Sequence, residues 1–238
     1  MTEGLHTDWV DDAKRRAADA AADHVESGSV VGLGSGSTAL HFIDIIGTRL
    51  STGELQNVMG VPTSYQASSA AIQAGIPLTS LDEHPSLDIS VDGADQIDDK
   101  LQAIKGGGAA LLREKVVASA SKRYILIADE RKLTKRLGEG CPLPIEVLSF
   151  SLGTAVKGIE RLGAKAVVRQ AKGKLGPVVT DNGNVIVDAD FGEMETPGKL
   201  EAELKAIPGV LETGLFLDYA QIAYVGTKDS IIELKREQ

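Results

Sequence analysis

"SVVGLGSGSTALHFIDIIGTRL", residues 29–50, decides the fold. "SVVGLGSGSTAL" reads as a short buried strand, a glycine-rich turn and the start of a helix, and that helix runs on through "HFIDIIGTRL". A strand that feeds a helix through a glycine turn is the first half of a βαβ unit.

The same rhythm continues along the chain. Residues 8–26 carry alanine and valine on a helical period. "NVMGVP" (57–62) reads as a strand and "SYQASSAAIQAG" (64–75) as a helix closed by Gly75. "IPLTSL" (76–81) and "LDISVDGAD" (87–95) read as two further strands. "GAALLREKVVASAS" (108–121) follows as a helix and "RYILIAD" (123–129) as an apolar strand. Strands alternating with helices predict an α/β fold, a doubly wound, mainly parallel sheet of Rossmann-like type.

The rhythm changes at "CPLPIEV" (141–147), where two prolines interrupt any helix. Beyond it come a helix at 153–163, a strand at 164–170, a hairpin turned at Asp181-Asn182-Gly183 and a helix stopped by Pro208. This order predicts a small α+β domain over 137–213. Residues 1–136 and 214–238 then form the main domain, with the tail rejoining its sheet.

Composition bounds the function. Only 4% of the 238 residues are aromatic, so small aliphatics must fill the interior. Net charge is −9 and no basic run interleaves with aromatics, which argues against nucleic acid as a partner. The one cysteine, Cys141, excludes an internal disulfide and a cysteine-rich metal site. The acidic start "MTEGLHTDWVDD" is unlike a signal peptide, and no apolar run approaches the roughly 20 residues that span a bilayer. A cytoplasmic chain with no membrane partner is expected.

Within the first glycine loop, the phosphate-cradling motif is incomplete, because Ser37 stands where that motif has lysine. The dinucleotide fingerprint lacks its acid after the second strand, which ends in "VPTS". General physics remains. Glycines admit an anion to the backbone, and a helix start offers free N–H groups and a positive dipole end. Ser35, Ser37 and Thr38 add hydroxyls. A capped turn and a phosphate-binding loop are both open readings here.

"IKGGGAALLREKVVA" (104–118) carries the second signal. Three glycines in a row cost chain entropy, so tight turning or close backbone approach is the expected reason. Lys105 precedes them and a helix begins near Ala109, which makes a second anion-ready loop. Glu114 has apolar neighbours at Ala110, Leu111, Val117 and Ala118, while Arg113, Lys115, Ser119 and Lys122 form the polar stripe. Desolvation on that apolar face would raise its pKa toward a useful general base. The alternative is a glutamate paired with a cation from another element.

"VDGADQID" (91–98) packs three aspartates into eight positions. A turn, a hard-metal site and acid/base or sugar-hydroxyl work each fit that composition. The histidines share no ligand spacing, and a strand's carboxyl end is where open α/β sheets place ligands. Position favours sugar or acid/base work, with Asp98 and Asp99 left as surface turn residues.

Taken together, "GLGSGSTA", "VDGADQID", "IKGGGAALLREKVVA", "IADERK", "VVTDNGNVI" and "IPGV" resemble ribose-5-phosphate isomerase, type A, in family order over nearly the whole chain. The resemblance implies interconversion of D-ribose 5-phosphate and D-ribulose 5-phosphate through a cis-enediolate, in the non-oxidative pentose phosphate pathway, with no metal and no cofactor. It implies Glu114 as the base and Asp92 and Asp95 as sugar-handling acids in the Asp92-Gly93-Ala94-Asp95 segment. Lys105 and Gly106, Gly107 and Gly108 would stabilise the enediolate. Ser35, Gly36, Ser37 and Thr38 would line the substrate site, with Lys132 a substrate contact and Lys14 near the phosphate. A ferredoxin-like lid and a homodimer or homotetramer are also implied. Ser35 stands where the family commonly has threonine, and Gln96 where it has glutamate.

Overall fold

The computed structural model describes residues 8–236. In chain order the first elements are α1 (Asp8–Ala22), β1 (Val30–Leu33), α2 (Ser37–Ser51), β2 (Met59–Pro62), α3 (Tyr65–Gln73) and β3 (Ile89–Gly93). Next come β4 (Gln96–Ile97), β5 (Ala103–Ile104), α4 (Leu111–Ser119), β6 (Tyr124–Asp129), β7 (Leu143–Val147) and α5 (Leu152–Arg161). The chain ends with β8 (Lys165–Val168), β9 (Val185–Asp190), α6 (Pro197–Lys205), β10 (Val210–Thr213), β11 (Leu215–Phe216), β12 (Ile222–Gly226) and β13 (Ile231–Lys235).

Two compact units result. The first holds the described residues up to Ala94, Val116–Leu133 and those from Tyr219 on; the second holds Asp95–Lys115 and Thr134–Asp218.

In the first unit, six strands form one sheet in the order β13-β12-β6-β3-β1-β2. All neighbours pair in parallel except β13, which closes one edge antiparallel to β12. Side chains alternate across a strand, so β1 serves two faces. Val31 and Leu33 join a core with Ala17, Ala21, Phe42, Ile46, Ala67 and Ala71 from α1, α2 and α3. Val30 turns the other way and packs with Val61, Leu87 and Val117. Burial on both faces explains why β1 and β6 read as unbroken apolar runs. Each fully buried Phe or Ile contributes about 1.5–3 kcal/mol. Gly32 is fixed by that crowding, since a Cβ there would lie 2.4 Å from the Ser90 Cβ and 2.5 Å from the Val117 Cγ1.

In the second unit, β7-α5-β8-β9-α6-β10 forms an antiparallel sheet in the order β10-β7-β9-β8, the βαββαβ arrangement of ferredoxin-like folds. Leu143, Ile145 and Val147 alternate inward with Val185, Val187 and Ala189, meeting Ala155, Ile159 and Leu204 of the helices. The same alternation turns Glu146 and Asp188 to the opposite face. A small sheet, β11-β5-β4, completes the unit.

Several expectations are corrected. "IPLTSL" is not a strand: Leu78 makes one isolated bridge to Gly60, and within the segment only Ile76 is buried. Within "CPLPIEV", where the prolines interrupt any helix, Leu143–Val147 forms β7. Pro144 pairs with Asp188 on one side, and its carbonyl accepts from Gly214 N at 2.7 Å beyond the end of the β10 ladder. There the missing N–H costs nothing. The smaller unit is also wider than 137–213, because it takes in Asp95–Lys115 and extends from Thr134 to Asp218.

Candidate active site

The first unit holds the first glycine loop, and close packing dictates its residue types. A Cβ on Gly34 would stand 2.3 Å from Asp92 Oδ1 and 2.6 Å from the Asp92 Cα, so only glycine lets β1 leave the sheet beside β3. Asp92 Oδ1 accepts from Ser35 N at 3.0 Å and from Gly93 N at 2.8 Å. The Ser35 hydroxyl lies 2.7 Å from Thr63 Oγ1 and 2.5 Å from Ser64 Oγ. Gly36 precedes α2 with φ +95°, a left-handed conformation that favours glycine, and no side chain caps this helix. Gln66 Oε1 accepts from Gly36 N at 2.9 Å. Lys14, from α1, donates to Ser37 Oγ at 2.9 Å. A lysine, the four hydroxyl residues Ser35, Ser37, Thr63 and Ser64, and a helix start therefore lie at this loop, the group types that bind an anion. The neighbouring "VPTS" hydroxyls, noted in sequence only for lacking a carboxylate, supply part of that cluster.

Lys132 ends a short 3₁₀ turn, Glu130–Lys132, directly after β6. Asp129 N-caps the turn and pairs with Arg131 at 2.6 Å. Burial works against the charge on Asp129, yet Arg131 outweighs it and holds the carboxyl below its ordinary range.

The second unit holds the other predicted groups. Asp95 is positioned by its backbone N–H on Ile104 O at 2.8 Å, and its Oδ2 accepts from Gly107 N at 2.7 Å. Gly106 has φ +106° and Ala109 φ +61°, so the turn stays tight until α4 begins at Leu111 rather than near Ala109. That later start puts Glu114 in the first turn of α4. Its carboxylate is 5% exposed and its Oε2 stands 3.3 Å from Lys105 Nζ, itself 3% exposed. Glu114 is thus shielded and also paired with a cation from another element. A carboxylate kept dry beside an ammonium can take a carbon-bound proton while the ammonium stabilises the oxyanion that forms.

Two further expectations change here. Lys115 is not on a solvated stripe; it is buried, 2.7 Å from Glu201 and 2.9 Å from Glu212. Asp98 is no surface turn residue. It is 8% exposed, and its Oδ1 accepts from Lys100 N at 2.9 Å and Gln102 N at 2.8 Å, while Asp99 is exposed. Burial pushes the Asp98 carboxyl up, opposed by those backbone bonds. Gln96 uses both ends of its amide, donating to Glu139 O at 2.7 Å and accepting from Gly138 N at 2.8 Å. A cavity of about 620 Å³ in this unit, between Asp98, Lys135 and Met194, is lined by none of the residues picked out for chemistry.

Residues 59–230 match the model of the family described as Ribose 5-phosphate isomerase A (phosphoriboisomerase A). The chain belongs to this family. A ribose-5-phosphate isomerase A from Roseiflexus castenholzii is 47% identical over 222 residues, covering 93% of this chain and 94% of its own length. One from Thermococcus kodakarensis is 46% identical over 227 residues, covering 95% and 99%. Among solved structures, a D-ribose-5-phosphate isomerase in complex with phospho-erythronic acid superposes with TM-score 0.93 at 44% identity, covering 95% of this chain and 99% of that one. The α/β architecture is thus shared with the ribose-5-phosphate isomerase A structures.

Sequence reading missed two groups in this family member. Glu146 on β7 is fully buried, and its Oε1 accepts from Thr180 Oγ1 at 2.9 Å, Asn182 Nδ2 at 3.0 Å and Asn184 Nδ2 at 2.8 Å. That carboxylate organises the "TDNGN" turn, and Asn182 Oδ1 accepts in turn from Arg113 Nε at 2.7 Å. Arg169 and Asp188 form the other group. A period-2 reading of "VVRQ" and "VIVDAD" could have put each on a polar face, but their pairing depends on register.

Proposed function

We propose that this chain is an aldose–ketose isomerase that interconverts D-ribose 5-phosphate and D-ribulose 5-phosphate, with Glu114 as the proton-transferring base. Membership in the ribose 5-phosphate isomerase A family supports the reaction. The buried carboxylate of Glu114, 3.3 Å from Lys105 at the glycine turn, supports the assignment of the base.

In this reading the open-chain aldose presents C2 to Glu114. The carboxylate takes the C2 proton, and the C–H electrons form a C1–C2 double bond while the carbonyl electrons move to O1. A cis-enediolate results. Lys105 and the 106–108 glycine turn stabilise its negative oxygen. Glu114 then returns the proton to C1, and O2 gives up its own proton to become the ketone carbonyl. The sum is one hydrogen moved from C2 to C1 and one from O2 to O1, with no oxidant and no metal required.

Asp92 and Asp95 hold sugar hydroxyls and assist ring opening. Ser35, Gly36, Ser37, Thr38 and Lys14 bind the substrate at the first loop, with Lys14 at the phosphate and Lys132 as a further substrate contact. The chain works as a homodimer or homotetramer in the cytoplasm. No helix among the described residues is long and apolar enough to cross a membrane.

The test is to follow ribulose 5-phosphate formation from ribose 5-phosphate with excess EDTA present. Steady conversion is expected. A flat trace from folded protein would overturn the assignment, and activity lost to EDTA but restored by a divalent ion would overturn the metal-free mechanism.

A further inference from the structure

The backbone of the 106–108 turn is held from behind by a side chain that no part of the mechanism uses. Arg169, which follows β8, donates through Nη1 to two successive carbonyls, Gly106 O at 2.8 Å and Gly107 O at 3.0 Å. Its Nε donates to Asp188 Oδ2 at 2.8 Å, and its Nη2 reaches Asp188 Oδ1. Four of the five guanidinium hydrogens are thereby committed. Asp188 faces Val167 across the β8–β9 ladder, so Arg169, two residues on, is its diagonal same-face neighbour. The sheet register aims the clamp.

A trans peptide points its N–H opposite to its C=O. Tying the carbonyls of Gly106 and Gly107 to one nitrogen therefore turns the N–H groups of Gly107 and Gly108 away from Arg169. One of the two reveals where that side lies, because Gly107 N donates to Asp95 Oδ2 at 2.7 Å. The turn needs holding. Gly106 and Ala109 both adopt positive φ, and for alanine that conformation costs about 1 kcal/mol or more. A cation on the carbonyls also polarises both peptides, which strengthens the Gly107 N–H as a donor to Asp95 and the Gly108 N–H as a donor to a developing oxyanion.

We propose that Arg169, anchored by Asp188, is a positioning residue for the isomerase chemistry, holding the Gly107 N–H on Asp95 and orienting and polarising the Gly108 N–H toward the enediolate. The inference rests on the function proposed above and adds a group that touches no reacting atom.

The test compares wild type, Arg169→Met, Arg169→Lys and Asp188→Asn by steady-state kinetics and by inhibition with phospho-erythronic acid, whose planar carboxylate resembles the enediolate oxygens. Loss of one direct oxyanion donor costs about 10²–10³ in kcat, so loss of its support in Arg169→Met is expected to cost about 10–100-fold. KM should change little, and inhibitor affinity should fall by the same factor as kcat/KM. Arg169→Lys, which keeps the charge but not the fork, should fall between wild type and Arg169→Met.

Wild-type kcat in Arg169→Met would overturn the proposal, as would a loss of kcat with inhibitor affinity intact or a rise in KM alone. Should Arg169→Met not fold, Asp188→Asn decides: it keeps a neutral acceptor, and the same split in smaller measure is expected, whereas wild-type constants would overturn the proposal. If wild type isomerises and Glu114→Gln is inactive while both clamp variants are normal, this inference alone fails. If wild type does not isomerise, the proposed function fails and takes this inference with it.

Discussion

Lys105 Nζ stands 3.3 Å from Glu114 Oε2, with both side chains almost wholly buried. The same ammonium lies 5.3 Å from the centre of the Phe216 ring, and Lys115 lies 5.2 Å from that ring. Lys115 is committed to Glu201 and Glu212, whereas Lys105 pairs with Glu114. Removing one partner of a buried pair typically costs about 3–5 kcal/mol, because the other charge stays behind. Lys105→Met should therefore lower the urea midpoint and turnover together. The double variant Lys105→Met with Glu114→Gln should recover part of the lost stability and none of the activity. Additive losses in the double-mutant cycle would show that the pair is not coupled.

Gly34 is packed against Asp92 so closely that a methyl group has no room. Because the clash includes the Asp92 backbone, Gly34→Ala should displace β1 from β3, at an overpacking cost of about 1–3 kcal/mol. The same shift pulls Ser35 N away from Asp92 Oδ1, so KM should rise as well. A variant with wild-type stability and KM would show that the loop does not depend on this contact.

Lys14 donates to Ser37 Oγ at the start of α2. If it binds the phosphate, Lys14→Met removes a contact made equally in substrate and transition state. KM should then rise by about tenfold, the worth of one charge-assisted hydrogen bond, with kcat near wild type. A fall in kcat at unchanged KM would move Lys14 out of the phosphate role.

Asp98 has its carboxyl pushed up by burial. A folded pKa above the unfolded one means that the group's stabilising contribution is full below the ordinary carboxyl value and is lost as pH rises through the folded value. At neutral pH the buried charge is a cost, offset by the Lys100 and Gln102 N–H groups. Asp98→Asn keeps the acceptor and removes the charge, so its urea midpoint at pH 7 should equal or exceed wild type. Asp98→Ala strands both N–H groups and should lose about 1–3 kcal/mol. A midpoint for Asp98→Asn well below wild type would contradict this balance.

These residues also mark how far the sequence could be read. β1 and β6 were legible because strands buried on both faces are continuous apolar runs, and the glycine loops because tight turning dictates residue type. β7 was masked by Pro142 before it and Pro144 within it, and the tolerance of Pro144 depends on where the β10 ladder ends. "IPLTSL" has strand-like residues but only one bridge to the sheet edge. Asp98 and Lys115 look like surface charges in any local window, and their burial follows from partners 4 residues and about 90 residues away. The Arg169–Asp188 clamp depends on the β8–β9 register, which no periodicity fixes. Glu114 was legible from its apolar neighbours, yet its pairing with Lys105 required the tight turn between them.

In the proposed reaction the inconspicuous Glu114, not the crowded aspartates, moves the proton. The direct measurement is turnover of ribose 5-phosphate by Glu114→Gln, with folding verified on the same sample. A positioned base contributes about 10²–10⁴-fold, so kcat should fall by that factor. Turnover near wild type would contradict the account.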